Sequence, residues 1–121
     1  MKKMNLLYSS AYYFSIIFLF FITSCSKYSK EIQANLTKLK ETKSCSGCDL
    51  RGIELIGFDL TGTDLSGANL TGANFRRSDL TGANLTDTNL TDADLLGVNL
   101  TGATLTNTNL TGVKLSYSNK K

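Results

Sequence analysis

The 121-residue chain contains no histidine, no proline and no tryptophan. Without histidine it lacks the commonest general base and the commonest metal ligand. No Ser-His pair can be assembled, and no glycine-rich phosphate loop stands between a strand and a helix. With no proline, the turns must rest on other residues. A strongly basic surface is missing too. The formal charge of +3 divides into +5 over residues 1–45, −4 over 46–117 and +2 from the last two lysines. The long middle section is therefore mildly acidic, which excludes nucleic acid as a partner held by charge. The one strongly apolar run, "IIFLFFI" from Ile16 to Ile22, follows a stretch interrupted by Ser9, Ser10 and Ser15. These interruptions argue against a permanent spanning helix.

That run sits instead where an export signal places its apolar core. Lys2 and Lys3 form a basic start, and Thr23-Ser24-Cys25 supplies small residues at a cleavage point. The segment "ITSC" resembles the bacterial lipobox, with Ile where Leu is commoner at its first position. The resemblance implies a signal peptide over 1–24 and lipidation of Cys25. It also implies an exported protein held on the cell membrane or the outer membrane by acyl chains, each buried CH₂ contributing about 0.8 kcal/mol. The alternative is a cleaved secretory peptide with an incidental Cys. Residues 25–29 are then a tether. Beyond it, "SKEIQANLTKLKETK" sets Ile32, Leu36 and Leu39 at helical spacing, with Ser29 available as N-cap. At about three turns such a helix is marginal alone, so residues 30–47 read as a cap and junction laid over something apolar.

What lies beyond it repeats every five residues. Leu occupies positions 50, 55, 60, 65 and 70, Phe 75, and Leu again 80 to 115 in steps of five. In a strand, residues five apart point to opposite faces. In a helix, five steps of about 100° scatter them around the axis. A chain that brings all of them to one interior must turn once in each unit. Composition agrees: nine of the fourteen positions two after the centre are Gly, and three more are Asp87, Asp92 and Asn107, all tolerant of turn dihedrals. Asp or Asn precedes the centre in eleven units. Ala stands two before it in five, and Thr one after it in eight.

The run "ANLTG" at 68–72, with "ANLTD" at 83–87, resembles the A-(D/N)-L-x-x motif of the pentapeptide-repeat family over residues 48–117. The resemblance implies an all-β solenoid, a right-handed quadrilateral β-helix with four units per coil and the central and small residues inside. Fourteen units make about three and a half coils, roughly 17 Å tall at about 4.8 Å per stacked strand, with residues 118–121 a tail. The recurrence of "TDTNLT" at 86–91 as "TNTNLT" at 106–111 independently favours a twenty-residue period. Members of the family also dimerise through the C-terminal coil, and the bare edge after Leu115 gives a physical reason for a homodimer here.

The chemistry-bearing residues are few. Asp49, Asp59, Asp64, Asp79 and Asp94 all fill one repeat position, which makes local backbone bonding or solvation the better reading than acid–base catalysis. Cys45 and Cys48 form C-x-x-C at the junction, without the βαβ setting of a redox enzyme or a second ligand pair for zinc. They are a disulfide stapling the cap or two thiols with Cys48 filling an inward site. "NLT" recurs because the repeat recurs. Stacking by twenties gathers Ile56, Arg76, Arg77, Leu96, Lys114 and Tyr117 on one face, a mixture of apolar groups, Arg and Tyr typical of recognition surfaces. The sequence thus predicts a non-enzymatic protein without cofactor, a binding or structural module of the envelope with a protein partner. The alternatives are a DNA-mimicking topoisomerase inhibitor, as the resemblance implies for some members, and an ice-binding Thr ladder.

Overall fold

The computed structural model describes residues 27–115, so the signal segment, Cys25, Tyr117 and the tail lie outside the described residues. Helix α1 spans Lys30–Thr42. Ser29 caps it, its side chain accepting from the Ile32 N–H at 3.3 Å. Glu31 in the first turn and Lys40 in the last both complement the helix dipole. The helix stops at Lys43, which takes the left-handed conformation (φ 51°) and returns its N–H to the Leu39 carbonyl. Leu39 is buried, and Ile32 and Leu36 pack against the same core.

From Ser44 onward the chain is bound to itself in a parallel register offset by twenty residues: Ser44 bridges Asp64, Asp64 bridges Asn84, and Asn84 bridges Thr104. The same offset links Asp49 to Asn69 and Asp94 to Lys114. Each contact is a single-residue bridge because a corner interrupts the strand in every unit. The register reaches back to Ser44, four residues ahead of Cys48, where the sequence predicts the repeat to begin. Cys45 fills a central position there and Gly47 the corner after it (φ 68°).

A unit's backbone donors can be accounted for one by one. Around Leu65, the central N–H donates to the Asn84 carbonyl (2.9 Å) and the Gly67 N–H to Thr86 (2.8 Å). The Ala68 N–H turns back to Leu65 (3.1 Å), and Asn69 donates to Cys48 in the preceding turn (2.9 Å). The fifth donor, one place after the centre, is taken by a side chain: Asp64 Oδ1 accepts from the Ser66 N–H at 3.0 Å. All eleven Asp and Asn residues before a centre do the same, from Asp49 with Arg51 to Asn109 with Thr111. The short Asx side chain recurs because it alone reaches the donor that the ladder leaves over.

Inside lie the centres from Leu50 to Leu95, each 4 % exposed or less, with the small residues two before them. Burial of one such Leu contributes roughly 1.5–3 kcal/mol. At the N-terminal end the core is closed by α1. At the other end Leu105, Leu110 and Leu115 remain 39 %, 41 % and 48 % exposed.

Candidate functional site

The face assembled from the sequence stands apart from the rest of the surface. Ile56, Asn74, Arg76 and Arg77 line a shallow cleft of about 240 Å³. Ile56 is 50 % exposed, so the cap helix does not cover it. Arg76 is held at its backbone by Asn74 Oδ1 (3.2 Å), and its Nε lies 4.0 Å from Asp94 Oδ2. Leu96 is half-buried in the next turn, where Arg77 N–H donates to its carbonyl at 3.0 Å. Lys114 is exposed, and its backbone pairs in parallel with that of Asp94. The structure therefore brings Ile56, Arg76 and Arg77 together in one cleft and sets Leu96 and Lys114 along the same face outside it.

Arg77 is the anomaly in this face. It occupies the corner position with φ 59°, in a column otherwise filled, among the described residues, by Gly, Asp or Asn. Asp and Asn tolerate the left-handed region; a long side chain pays a backbone cost of about 1 kcal/mol there. The corners one turn before and after it are Gly57 and Gly97, and a Cβ built on Gly97 would meet Arg77 Cγ at 3.7 Å. The guanidinium stem thus projects between two residues that carry no side chain.

Cys45 and Cys48 are joined by a disulfide, Cα–Cα 5.3 Å. Cys45 Sγ lies 3.3 Å from the Asn35 carbonyl oxygen, a packing contact, since a bonded sulfur has no proton to donate. Asn35 Nδ2 in turn donates to the Asp49 carbonyl at 3.0 Å, and the Glu54 N–H to the Tyr28 hydroxyl at 3.1 Å. Together these fix α1 on the first turn.

The aspartates are bonded structurally. The Arg51 guanidinium holds Asp49 below the ordinary carboxylate value. The Thr61 hydroxyl and N–H, helped by Lys43, do so for Asp59; the Ser66 hydroxyl and N–H, with the Asn84 amide, do so for Asp64. A general acid needs the opposite shift. Among the described residues no group of three or more His, Cys, Asp or Glu could hold a metal, and no helix is long and apolar enough to cross a membrane. The Thr column has a local role. Thr71, Thr91, Thr101 and Thr111 each donate their hydroxyl to the Asn two places before, at 2.6–2.7 Å. This is why Asn-Leu-Thr recurs.

One feature escaped the periodicity. Thr88 and Thr108, two before a centre, donate their hydroxyls to the carbonyls of Leu65 and Leu85, both at 2.8 Å and both twenty-three residues back. Thr63 occupies the same position, is fully buried, and its Oγ1 has no partner. Twenty-three residues before it stands Lys40, in helix α1, where a coil would have offered a carbonyl.

The geometry defines a solenoid of stacked parallel turns closed at one end by a helix. Family comparison makes the class specific: the Pentapeptide repeats model matches residues 44–82 and 78–116, and the chain belongs to that family. Among solved structures it is similar to a pentapeptide repeat protein from the Arabidopsis thaliana thylakoid lumen, with 28 % identity and TM-score 0.56, over 78 % of this chain and 57 % of that one. The chain thus spans little more than half the length of that relative. A pentapeptide repeat protein from Nostoc PCC 7120 is 33 % identical over 69 % of this chain and 74 % of its own, with TM-score 0.40. QnrB1, a plasmid-mediated fluoroquinolone resistance protein, matches at 28 % identity over 61 % of this chain and 37 % of its own, and its TM-score of 0.36 carries no argument. No curated protein matches.

Proposed function

We propose that this protein is a non-enzymatic pentapeptide-repeat lipoprotein that presents a protein-binding face from the surface of a bacterial envelope membrane. On this reading residues 1–24 are removed, Cys25 carries the lipid, and the repeat forms a right-handed quadrilateral helix of about three and a half coils. The observation that carries the binding role is Arg77, whose side chain occupies a corner that its backbone disfavours. Beside it, Ile56 supplies exposed apolar surface and Arg76 a second guanidinium. Arg beside exposed apolar surface is the composition from which interface hot spots are drawn. The exposed Leu105, Leu110 and Leu115 favour self-association through the C-terminal turn, which analytical ultracentrifugation of the full-length protein with and without Leu110→Asp would test.

The test of function uses a photo-cross-linking residue at Ile56 and, as a control, at Thr101 in cells expressing the full-length chain. A discrete adduct from position 56, lost in Arg76→Glu/Arg77→Glu, is the expected result; equal adducts from both positions would contradict it. Labelling with an alkyne fatty acid, present in the wild type and absent in Cys25→Ala, is the corresponding test of the anchor.

A further inference from the structure

Positive charge in the repeat is gathered on one face. Of the four basic residues between 46 and 115, Arg51 is taken up by Asp49, whose carboxylate accepts from its Nε at 2.9 Å and its Nη2 at 2.7 Å. The other three, Arg76, Arg77 and Lys114, stand on the face that carries Ile56 and Leu96. Of the carboxylates on this face, Glu54 is engaged by Lys27 and Asp94 lies 4.0 Å from Arg76 Nε, which leaves Arg77 without a carboxylate partner among the described residues. Successive turns order the column one place after the centre as Ile56, Arg76 and Leu96: apolar, cationic, apolar. The Gly57 N–H donates to the Arg76 carbonyl at 2.9 Å and the Arg77 N–H to the Leu96 carbonyl at 3.0 Å, which holds the three in line. Arg77 stands beside the middle member, between Gly57 and Gly97, which carry no side chain to crowd what approaches it.

A partner that fits this column must present the complementary order, apolar, anionic, apolar, at the spacing of the turns. We propose that the face binds an amphipathic helix of a partner protein, laid along the solenoid axis, with apolar residues at i and i+7 and carboxylates at i+3 and i+4. This rests on the reading of the face as a protein-binding surface. Spacing selects the helix. Stacked turns repeat at about 4.8 Å and helical turns at about 5.4 Å, so over the two steps from Ile56 to Leu96 they drift apart by only about 1 Å. A strand laid the same way presents side chains of one face about 6.6 Å apart and misses the second apolar site by nearly 4 Å. On the helix, residues at i, i+3, i+4 and i+7 share one face. The apolar pair then covers Ile56 and Leu96, as helices do when they dock by an apolar stripe, while the two carboxylates meet Arg76 and Arg77, whose guanidinium forks accept them in bidentate pairs. A basic helix is repelled.

The probe is a phage-displayed library of random peptides of about sixteen residues, enough for four helical turns, panned on the full-length protein in a non-ionic detergent and depleted on Arg76→Glu/Arg77→Glu. Retained sequences are expected to carry two adjacent Asp or Glu residues with Leu, Ile, Met or Phe three places away on either side. A synthetic copy of such a peptide should bind Arg76→Glu/Arg77→Glu about tenfold more weakly, and should recover there when its own two carboxylates are replaced by Lys. Part of the loss should recur in Arg77→Gly, which suits the left-handed corner, so loss of folding does not account for it. Retained sequences with acidic residues at alternate places, retained sequences without an acidic pair, no retained sequence, or charge reversal without recovery would each overturn the proposal. A discrete adduct from position 56 alongside any of these results keeps the binding face and removes only its helical partner.

Discussion

Three threonines in one repeat position should respond with opposite signs to the same substitution. Thr63, Thr88 and Thr108 each stand two before a centre, and Thr→Val exchanges a hydroxyl for a methyl of nearly the same size. At Thr88 the exchange deletes a buried hydrogen bond of 2.8 Å to the Leu65 carbonyl, which keeps its other donor, the Ala68 N–H. The net loss is about 1 kcal/mol. At Thr63 no bond exists to be lost, and the buried hydroxyl already carries a desolvation cost of about 1–3 kcal/mol, so its removal should stabilise by about 1 kcal/mol. The methyl's own burial enters both variants and cancels in the comparison. For a domain of this size 1 kcal/mol moves Tm by about 4–8 °C, so the two variants should differ by roughly 10 °C, with Thr108→Val, half-buried, between them. Thermal unfolding of the full-length protein followed by circular dichroism measures this. Equal shifts of one sign at 63 and 88 would refute the account of how the cap interrupts the hydroxyl pattern.

Arg77→Gly should raise stability by about 1 kcal/mol by relieving the left-handed corner, while abolishing the cross-link from position 56; a destabilised variant would mean that Arg77 is held for packing. Reduction of Cys45–Cys48 should lower stability by about 2 kcal/mol, the value for reopening a loop of about four residues, and an unchanged midpoint in reductant would exclude the staple. Because the carboxyls of Asp49 and Asp64 are held below their ordinary value of 3.8, their contribution is complete above that pH and is lost as pH falls through their lowered values. Tm should therefore be level from pH 7 to 5 and fall below about 4. Asp64→Asn, which keeps the turn without the charge, should flatten that fall, and an unaltered profile would count against it.

The fivefold spacing of Leu made the inward column readable, and "TDTNLT" with "TNTNLT" announced the twenty-residue register that the bridges display. The Asp and Asn column was recognisable as a repeat position, but its reason needs the ladder: only once four donors of a unit are accounted for does the fifth identify the acceptor. The turn beginning at Ser44 was hidden because Cys45, small and apolar, fills the centre in place of Leu. Arg77 was legible only as a member of the candidate face; that it holds a left-handed corner is a property of the backbone. Nothing local distinguishes Thr63 from Thr88. The difference is what lies twenty-three residues earlier, helix or coil, and that is a property of the assembled cap.

The central claim is that the units centred on Leu50 to Leu95 each donate their central N–H to the chain nineteen residues on. Scalar couplings across hydrogen bonds, measured by NMR on the full-length protein, observe that pairing directly. The account predicts correlations from the Leu65 nitrogen to the Asn84 carbonyl and from Leu70 to Asn89. Correlations to carbonyls four residues back, or amides at these centres that exchange as freely as those of an open chain, would contradict it.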